Sequence, residues 1–171
     1  MVGREVFLNI EKKQAHIGDT VLKIDNLWTS GEKEMSKIRG VSLEVKSGEI
    51  VGIAGIDGNG QSELIEAICG LRKVEKGSIL LDGKNITNES VKKIRKAGLS
   101  HIPEDRNVRG LNRSMTIEEN IVAAQISDAP FSNGIMLNNT KMLEYTNELI
   151  DKFDIRPRNP QTLTQGMSGG N

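Results

Sequence analysis

Between Gly55 and Ser62 the chain reads Gly-Ile-Asp-Gly-Asn-Gly-Gln-Ser. Gly55, Gly58 and Gly60 permit backbone angles and a close approach that a Cβ would block. In such a loop the N–H groups of Asp57, Gly58, Asn59 and Gly60 turn toward one point. A helix starting behind it adds positive potential, and the chemistry this suits is the holding of phosphate. The spacing follows the pattern G-x-x-x-x-G-K-[ST] except at one position, where Gln61 stands in place of lysine. The hydroxyl of Ser62 falls where that pattern uses it to hold Mg²⁺. Gln61 donates a hydrogen bond without carrying a charge. Charge-assisted bonds are roughly twice as strong as neutral ones, and charge counts most as a phosphoryl group is transferred. The loop is therefore expected to bind triphosphate weakly and to lose more in catalysis than in binding. Taken alone, the same residues also fit a glycine-rich strand–helix turn with no ligand.

The composition narrows the alternatives. Acidic and basic residues balance at 23 each, and aromatics make up 3% of the 171 residues. That leaves neither a global field nor a stacking surface for nucleic acid, and no nucleic-acid partner is expected. Cys69 is the sole cysteine, so no internal disulfide forms. On the apolar side of a helix it reads as a small core residue in a reducing compartment. His16 and His101 are isolated, and no His/Cys/carboxylate group has zinc spacing. No apolar run approaches the ~20 residues that span a bilayer, and the first residues lack the pattern of a secretory signal. Any membrane role is expected to go through a partner.

The elements that must hold the loop follow from periodicity. Ile50–Ala54 is an apolar run that reads as a buried strand leading into the loop, and Glu63–Cys69 reads as the helix behind it. Leu64, Ile65, Ile68 and Leu71 fall on one side of that helix, and Gly70 helps to end it. Val21–Leu27 and Val41–Val45 alternate as strands, and Ser47–Gly48–Glu49 is a tight turn. Gly77–Gly83 is a strand with its turn. Asn88 is placed to cap a helix through Lys96 that Gly98 stops, and Leu99–Ile102 reads as another strand. Beyond Pro103 the pattern becomes helical. Thr116 and Glu119 form a capping box opening a helix to about Ile126. A second helix over about 140–153 carries Met142, Leu143, Thr146, Leu149, Ile150 and Phe153 on one stripe. The layout is a mixed α/β unit followed by a mainly helical one.

Three motifs in order give this chain its likeness. They are the loop at 55–62, Ile102-Pro103-Glu104-Asp105-Arg106, and Met167-Ser168-Gly169-Gly170-Asn171. The set resembles the ATP-binding subunit of an ATP-binding-cassette (ABC) transporter, with its phosphate loop, its glutamine loop and its Leu-Ser-Gly-Gly-Gln signature. The wording of the first two motifs is similar to the second of two fused cassettes in importers of nucleosides and simple sugars. The resemblance implies an α/β fold: a P-loop NTPase core of ABC type, with an antiparallel β part and a helical subdomain. It divides the chain into an inter-cassette linker (1–20), a P-loop core (21–102) and a helical subdomain ending in the signature (103–171). It also implies a piece of a longer protein, truncated before the Walker B strand. The magnesium Asp, the catalytic Glu and the switch His would lie beyond, so the piece alone is expected to be inactive and no catalytic residue is assigned in it.

The same resemblance implies ATP and Mg²⁺ as cofactors. Gly55, Asp57, Gly58, Asn59, Gly60, Gln61 and Ser62 would hold the phosphates, with Ser62 reaching Mg²⁺. Glu104 stands where the family has Gln, which touches Mg²⁺ and links the nucleotide to the membrane subunit. A carboxylate oxygen also suits magnesium; the other reading is a solvated loop carboxylate beside Arg106. Ser168, Gly169 and Gly170 would bind the γ-phosphate of ATP held by the opposite cassette, or form an ordinary flexible end. Trp28 is the one aromatic in the region that faces adenine in the family, and it also reads as a packed core residue. Partners implied are the other cassette of the same polypeptide, membrane permease subunits and an upstream solute-binding protein. The place implied is the cytoplasmic face of the cell membrane. A non-transport ABC ATPase and an interaction module that has lost nucleotide are the rival readings.

Overall fold

The computed structural model describes residues 14–30, 37–56 and 58–168. Asp57, Gly169, Gly170 and most of the expected linker lie outside the described residues. The chain forms two compact units, one up to His101 and the other from Ile102.

The first unit is built on an antiparallel sheet. Its strands are β1 (Thr20–Thr29), β2 (Ile38–Lys46), β3 (Val74–Leu81) and β4 (Lys84–Asn85), in the spatial order β2-β1-β3-β4. The alternation in β1 changes phase midway: Ile24 and Leu27 are both buried although they are three residues apart. A bulge causes this. Asn26 has φ 45°, and the register slips there against both neighbours, after Ile24 toward β2 and after Asp25 toward β3. The extra residue bends the strand and returns Leu27 and Thr29 to the core face. Asn26 is held from both sides of its peptide plane: its N–H donates to Ser42 Oγ at 2.8 Å, and its side-chain oxygen accepts from the Trp28 indole at 2.9 Å.

Helix α1 (Gln61–Ile68) lays Leu64, Ala67 and Ile68 on this sheet, where they meet Ile24, Leu27 and Ile79. Each buried Leu or Ile among them contributes about 1.5–3 kcal/mol through burial, and Ala67 less than that. The sequence expectation for α1 needs two corrections. The helix starts at Gln61 rather than Glu63. Ile65 and Leu71 are exposed, so the buried stripe runs through Ala67 and Cys69 instead. Arg72 fixes the far end of the helix. It bonds Glu66 through Nε at 2.9 Å and Nη2 at 2.7 Å, and its Nη1 donates to the carbonyl of Ser30. Cys69 is buried, and burial pushes its thiol above the usual range. Thiolate reagents at pH 8 are therefore expected to modify Cys69 on the order of a hundredfold more slowly in the native protein than in urea. Stopped-flow labelling checks this, and rapid native labelling would show that α1 is not seated on the sheet.

Helix α2 (Val91–Lys96) is capped by Ser90, whose side chain accepts from Lys93 N–H, and not by Asn88. Asn88 takes φ 56° and turns back to β3, accepting from Val74 N–H at 2.8 Å and donating to the Val74 carbonyl at 3.0 Å. It closes the sheet end rather than the helix.

Two expected strands do not form. Ile50–Ala54 and Leu99–Ile102 have no strand assignment and pair with nothing in the sheet. Ile50 is 98% exposed and Ile102 94%. Uniformly apolar runs become strands where a neighbour strand and a covered face on each side satisfy them. No described strand flanks either run, so composition alone does not make the ladder.

The second unit is helical. A π-helical turn spans Arg106–Gly110, closed by Leu111 N–H to the Arg106 carbonyl at 2.8 Å. Asp105 caps it, accepting from the N–H groups of Asn107 and Val108. Helix α3 (Ile117–Ala123) opens with the expected capping box, both halves of it formed between Thr116 and Glu119. Helix α4 (Asn139–Phe153) packs on α3 through Met142, against Val122 and Phe131. The Phe131 and Tyr145 rings meet with centroids 5.1 Å apart. Of the expected α4 stripe, Met142, Thr146 and Ile150 are buried, while Leu143 and Phe153 are exposed. Among the described residues no helix is long and apolar enough to cross a membrane.

Candidate phosphate-binding loop and signature segment

The loop expected from the sequence is a turn between residue 56 and the first residue of α1. Asn59 N–H returns to the Ile56 carbonyl at 3.2 Å, and Leu64 N–H bonds the Gly60 carbonyl at 2.9 Å as the helix begins. Gly58 and Gly60 have φ 84° and 100°, so the turn needs left-handed backbone at both. Gly60 is buried beneath the loop as the residue preceding the helix.

The start of α1 is distinctive. Ser90, Thr116 and Asn138 cap α2, α3 and α4 with side-chain oxygens, whereas Gly60 supplies none to α1. An α-helix leaves its first N–H groups without intrahelical acceptors. A helix start lacking a side-chain cap, behind a left-handed glycine turn, is the donor set an anion requires. Ser62 lies in the first turn with an exposed side chain, open to a hard cation. On this geometry the residues present fit a phosphate group, with a cation beside it.

Gln61 has a definite place. Its carboxamide folds back across the loop and donates from Nε2 to the Ile56 carbonyl at 3.2 Å. A Cβ on Gly55 would collide with that same carboxamide. Gln61 thus braces the loop from inside, and Gly55 leaves room for it. The brace is neutral where the pattern has a cation. In the sequence Gln61 is an uncharged hydrogen-bond donor, and its acceptor at Ile56 has no sequence signal.

Trp28, to which the resemblance offers an adenine-facing role, is engaged within the sheet. The indole N–H is bonded to Asn26, Lys76 Nζ lies 5.6 Å from the ring centroid, and a Cβ on Gly40 would already touch the indole at 3.5 Å. Trp28 packs the bulge.

In the second unit Glu104 is exposed, between Pro103 and the capped π-helical turn. Arg106 does not pair with it but reaches Ser168, its Nη1 donating to the Ser168 carbonyl at 2.9 Å. The segment leading to Ser168 is anchored throughout. Leu163 bridges to Thr116. Thr164 N–H bonds the Met115 carbonyl, and Gln165 N–H the Arg113 carbonyl, both at 3.1 Å. Thr164 Oγ1 donates within reach of the Asn112 carbonyl at 3.0 Å, and Asn120 Nδ2 donates to the Asn112 and Thr116 carbonyls. The structure thus brings the Glu104 loop and Ser168 into one hydrogen-bonded assembly, across a gap of 62 positions in sequence.

Comparison with known proteins agrees with this arrangement. The family model described as "ABC transporter" matches residues 38–171. The guanosine import ATP-binding protein NupO of Bacillus subtilis (strain 168) is 44% identical over the whole of this chain. The nucleoside import ATP-binding protein NupA of Lactococcus lactis subsp. cremoris (strain MG1363) is 43% identical, again over the whole chain. This chain spans 34% of the length of each relative. A crystal structure of a nucleotide-free ATP-binding cassette from an ABC transporter superimposes with a TM-score of 0.66 at 23% identity, covering 88% of this chain and 60% of that one. A family model that takes in both the loop at 55–62 and the Ser168 segment, and a solved cassette that superimposes on the chain, lead to one assignment: this chain belongs to the ABC transporter family and carries its ATP-binding fold.

Proposed function

We propose that this chain is part of the ATP-binding subunit of an importer of nucleosides, working as the degenerate member of a pair of cassettes. The observation that carries the asymmetry is Gln61, a neutral brace bonded to Ile56 where the phosphate-loop pattern has a lysine. ATP supplies the free energy of transport. The N–H groups of residues 58–62 would hold its phosphates, Asp57 and Gly55 would shape the loop, and the Ser62 hydroxyl would face Mg²⁺. Without the lysine charge this loop contributes binding more than turnover. Ser168, with Gly169 and Gly170 after it, would complete the phosphate site of the other cassette. Glu104 would meet the nucleotide's metal from the loop that faces a permease. The solute class is supported by the two nucleoside-importing relatives. The exposed Ile50, Val51, Ile53 and Ile102 support a longer parent chain whose strands cover them. In this reading the protein works at the cytoplasmic face of the membrane, held there by permease subunits that receive solute from a binding protein.

The test is made in the complete two-cassette protein with its permease. Gln61→Ala is expected to leave uptake of radiolabelled guanosine and ATP hydrolysis within about threefold of wild type, because the lost bond is neutral and exposed. Abolition of both would mean that this loop is itself a catalytic site. Uptake of a simple sugar in place of guanosine would move the solute assignment.

A further inference from the structure

We propose that Arg106 is a positioning residue for the signature turn, setting the backbone at Ser168 from the loop that carries Glu104. The proposal rests on the reading of Ser168 as a contact for ATP held by the other cassette.

The hydrogen bonds around Ser168 divide into two groups. Residues 163–165 are tied to residues 112–116 by the Leu163–Thr116 bridge and by the N–H groups of Thr164 and Gln165. After Met167, whose N–H returns to the Thr164 carbonyl at 3.1 Å, the frame from 112–116 ends. The Ser168 carbonyl is then taken by Arg106 alone among the described interactions, at 2.9 Å. That peptide group leads directly into Gly169. Holding that carbonyl restrains the backbone of Ser168 itself, the residue read as the contact for phosphate.

The base of the tether is stiff. Arg106 is the first residue of the π-helical turn, its own carbonyl accepts from Leu111, and Asp105 caps the turn ahead of it. Gly110 allows the turn to close, since a Cβ there would sit 3.3 Å from both Arg106 Cβ and Pro103 Cγ. The guanidinium also brings a permanent positive charge beside a turn that meets an anion. A movement of the Pro103–Asp105 segment therefore reaches the signature through one side chain.

Two measurements test this. In the 171-residue chain, Arg106→Ala is expected to speed amide exchange at Met167 and Ser168 several-fold with an unchanged melting temperature, because Arg106 is exposed and outside both cores. In the complete two-cassette protein, Arg106→Ala is expected to lower kcat for ATP hydrolysis about tenfold with the KM for ATP within about twofold. The split follows from the reading of Ser168 as a contact for ATP held by the other cassette, whose own phosphate loop would carry most of the binding. Arg106→Lys keeps the charge but not the planar fork and should fall between. Gly169→Asp serves as the control and should abolish hydrolysis. Wild-type kcat in Arg106→Ala alongside a dead Gly169→Asp overturns the tether and leaves the signature reading intact. An active Gly169→Asp overturns the signature reading and the tether's role with it. Unchanged exchange at 167–168, or a fall in kcat that merely follows a fall in melting temperature, also overturns the proposal.

Discussion

Replacing Gln61 with lysine is expected to tighten Mg-ATP binding by about tenfold, the factor that separates a charge-assisted from a neutral hydrogen bond of this exposed kind. The position is already inside the loop. The Gln61 carboxamide crosses to the Ile56 carbonyl at 3.2 Å, through the space Gly55 leaves open. An ammonium on a stem one bond longer can keep that bond in the empty loop and move to the phosphates in the filled one. The brace is long for an N–H···O bond, so releasing it costs little. The gain should be largest for ATP, smaller for ADP, and reduced by salt because the loop is near the surface. Calorimetric titration of wild type and Gln61→Lys at two ionic strengths measures all three. Equal affinities would mean that something other than the missing charge limits binding here, and would remove the reason to regard this cassette as the degenerate one.

The loop was legible in the sequence because its requirements are local. Left-handed backbone at Gly58 and Gly60 and a helix close behind them are conditions that neighbouring residues state by themselves, although the helix begins at Gln61, two residues ahead of the sequence expectation. The Thr116–Glu119 capping box was legible for the same reason. Non-local features were not. Ile50–Ala54 has the composition of a central strand, but composition names no partner, and Ile50 is almost fully exposed. Asn88 has the chemistry of a helix cap and is drawn away by Val74, 14 positions earlier in the chain. The Arg106–Ser168 bond joins the last residue of one motif to a serine of another 62 residues on, and nothing in either neighbourhood announces the pairing. The bulge at Asn26 lies between these cases. Val21–Leu27 reads as one alternating strand, and the change of phase between Ile24 and Leu27 comes from register shifts against both flanking strands.

That bulge is also where one methyl group should do the most damage. Gly77 in β3 has φ 90° and faces the bulged peptide of β1, so that a Cβ there would run into the backbone carbonyls of Asp25 and Asn26. Neither carbonyl can swing aside like a side-chain end, because each belongs to the central strand of the sheet. Alanine at this position meets two costs: left-handed backbone at about 1–2 kcal/mol, and displacement of the β1–β3 pairing around Trp28 and Lys76. Together they are expected to remove about 3–5 kcal/mol from the first unit, a large share of the 5–15 kcal/mol that a domain typically has. Gly83 separates the two costs. It too has positive φ, at 73°, but a Cβ there meets nothing within 4 Å. Gly83→Ala should therefore lose only the backbone part, about 1–2 kcal/mol. Urea unfolding followed by Cys69 labelling reports on this unit alone, because Cys69 is buried where α1 ends on the sheet. If Gly77→Ala and Gly83→Ala unfold at the same urea concentration, the close approach at the bulge carries no energy. If Gly77→Ala unfolds far earlier, the sheet that seats α1 depends on that approach, and with it the helix start behind the glycine turn.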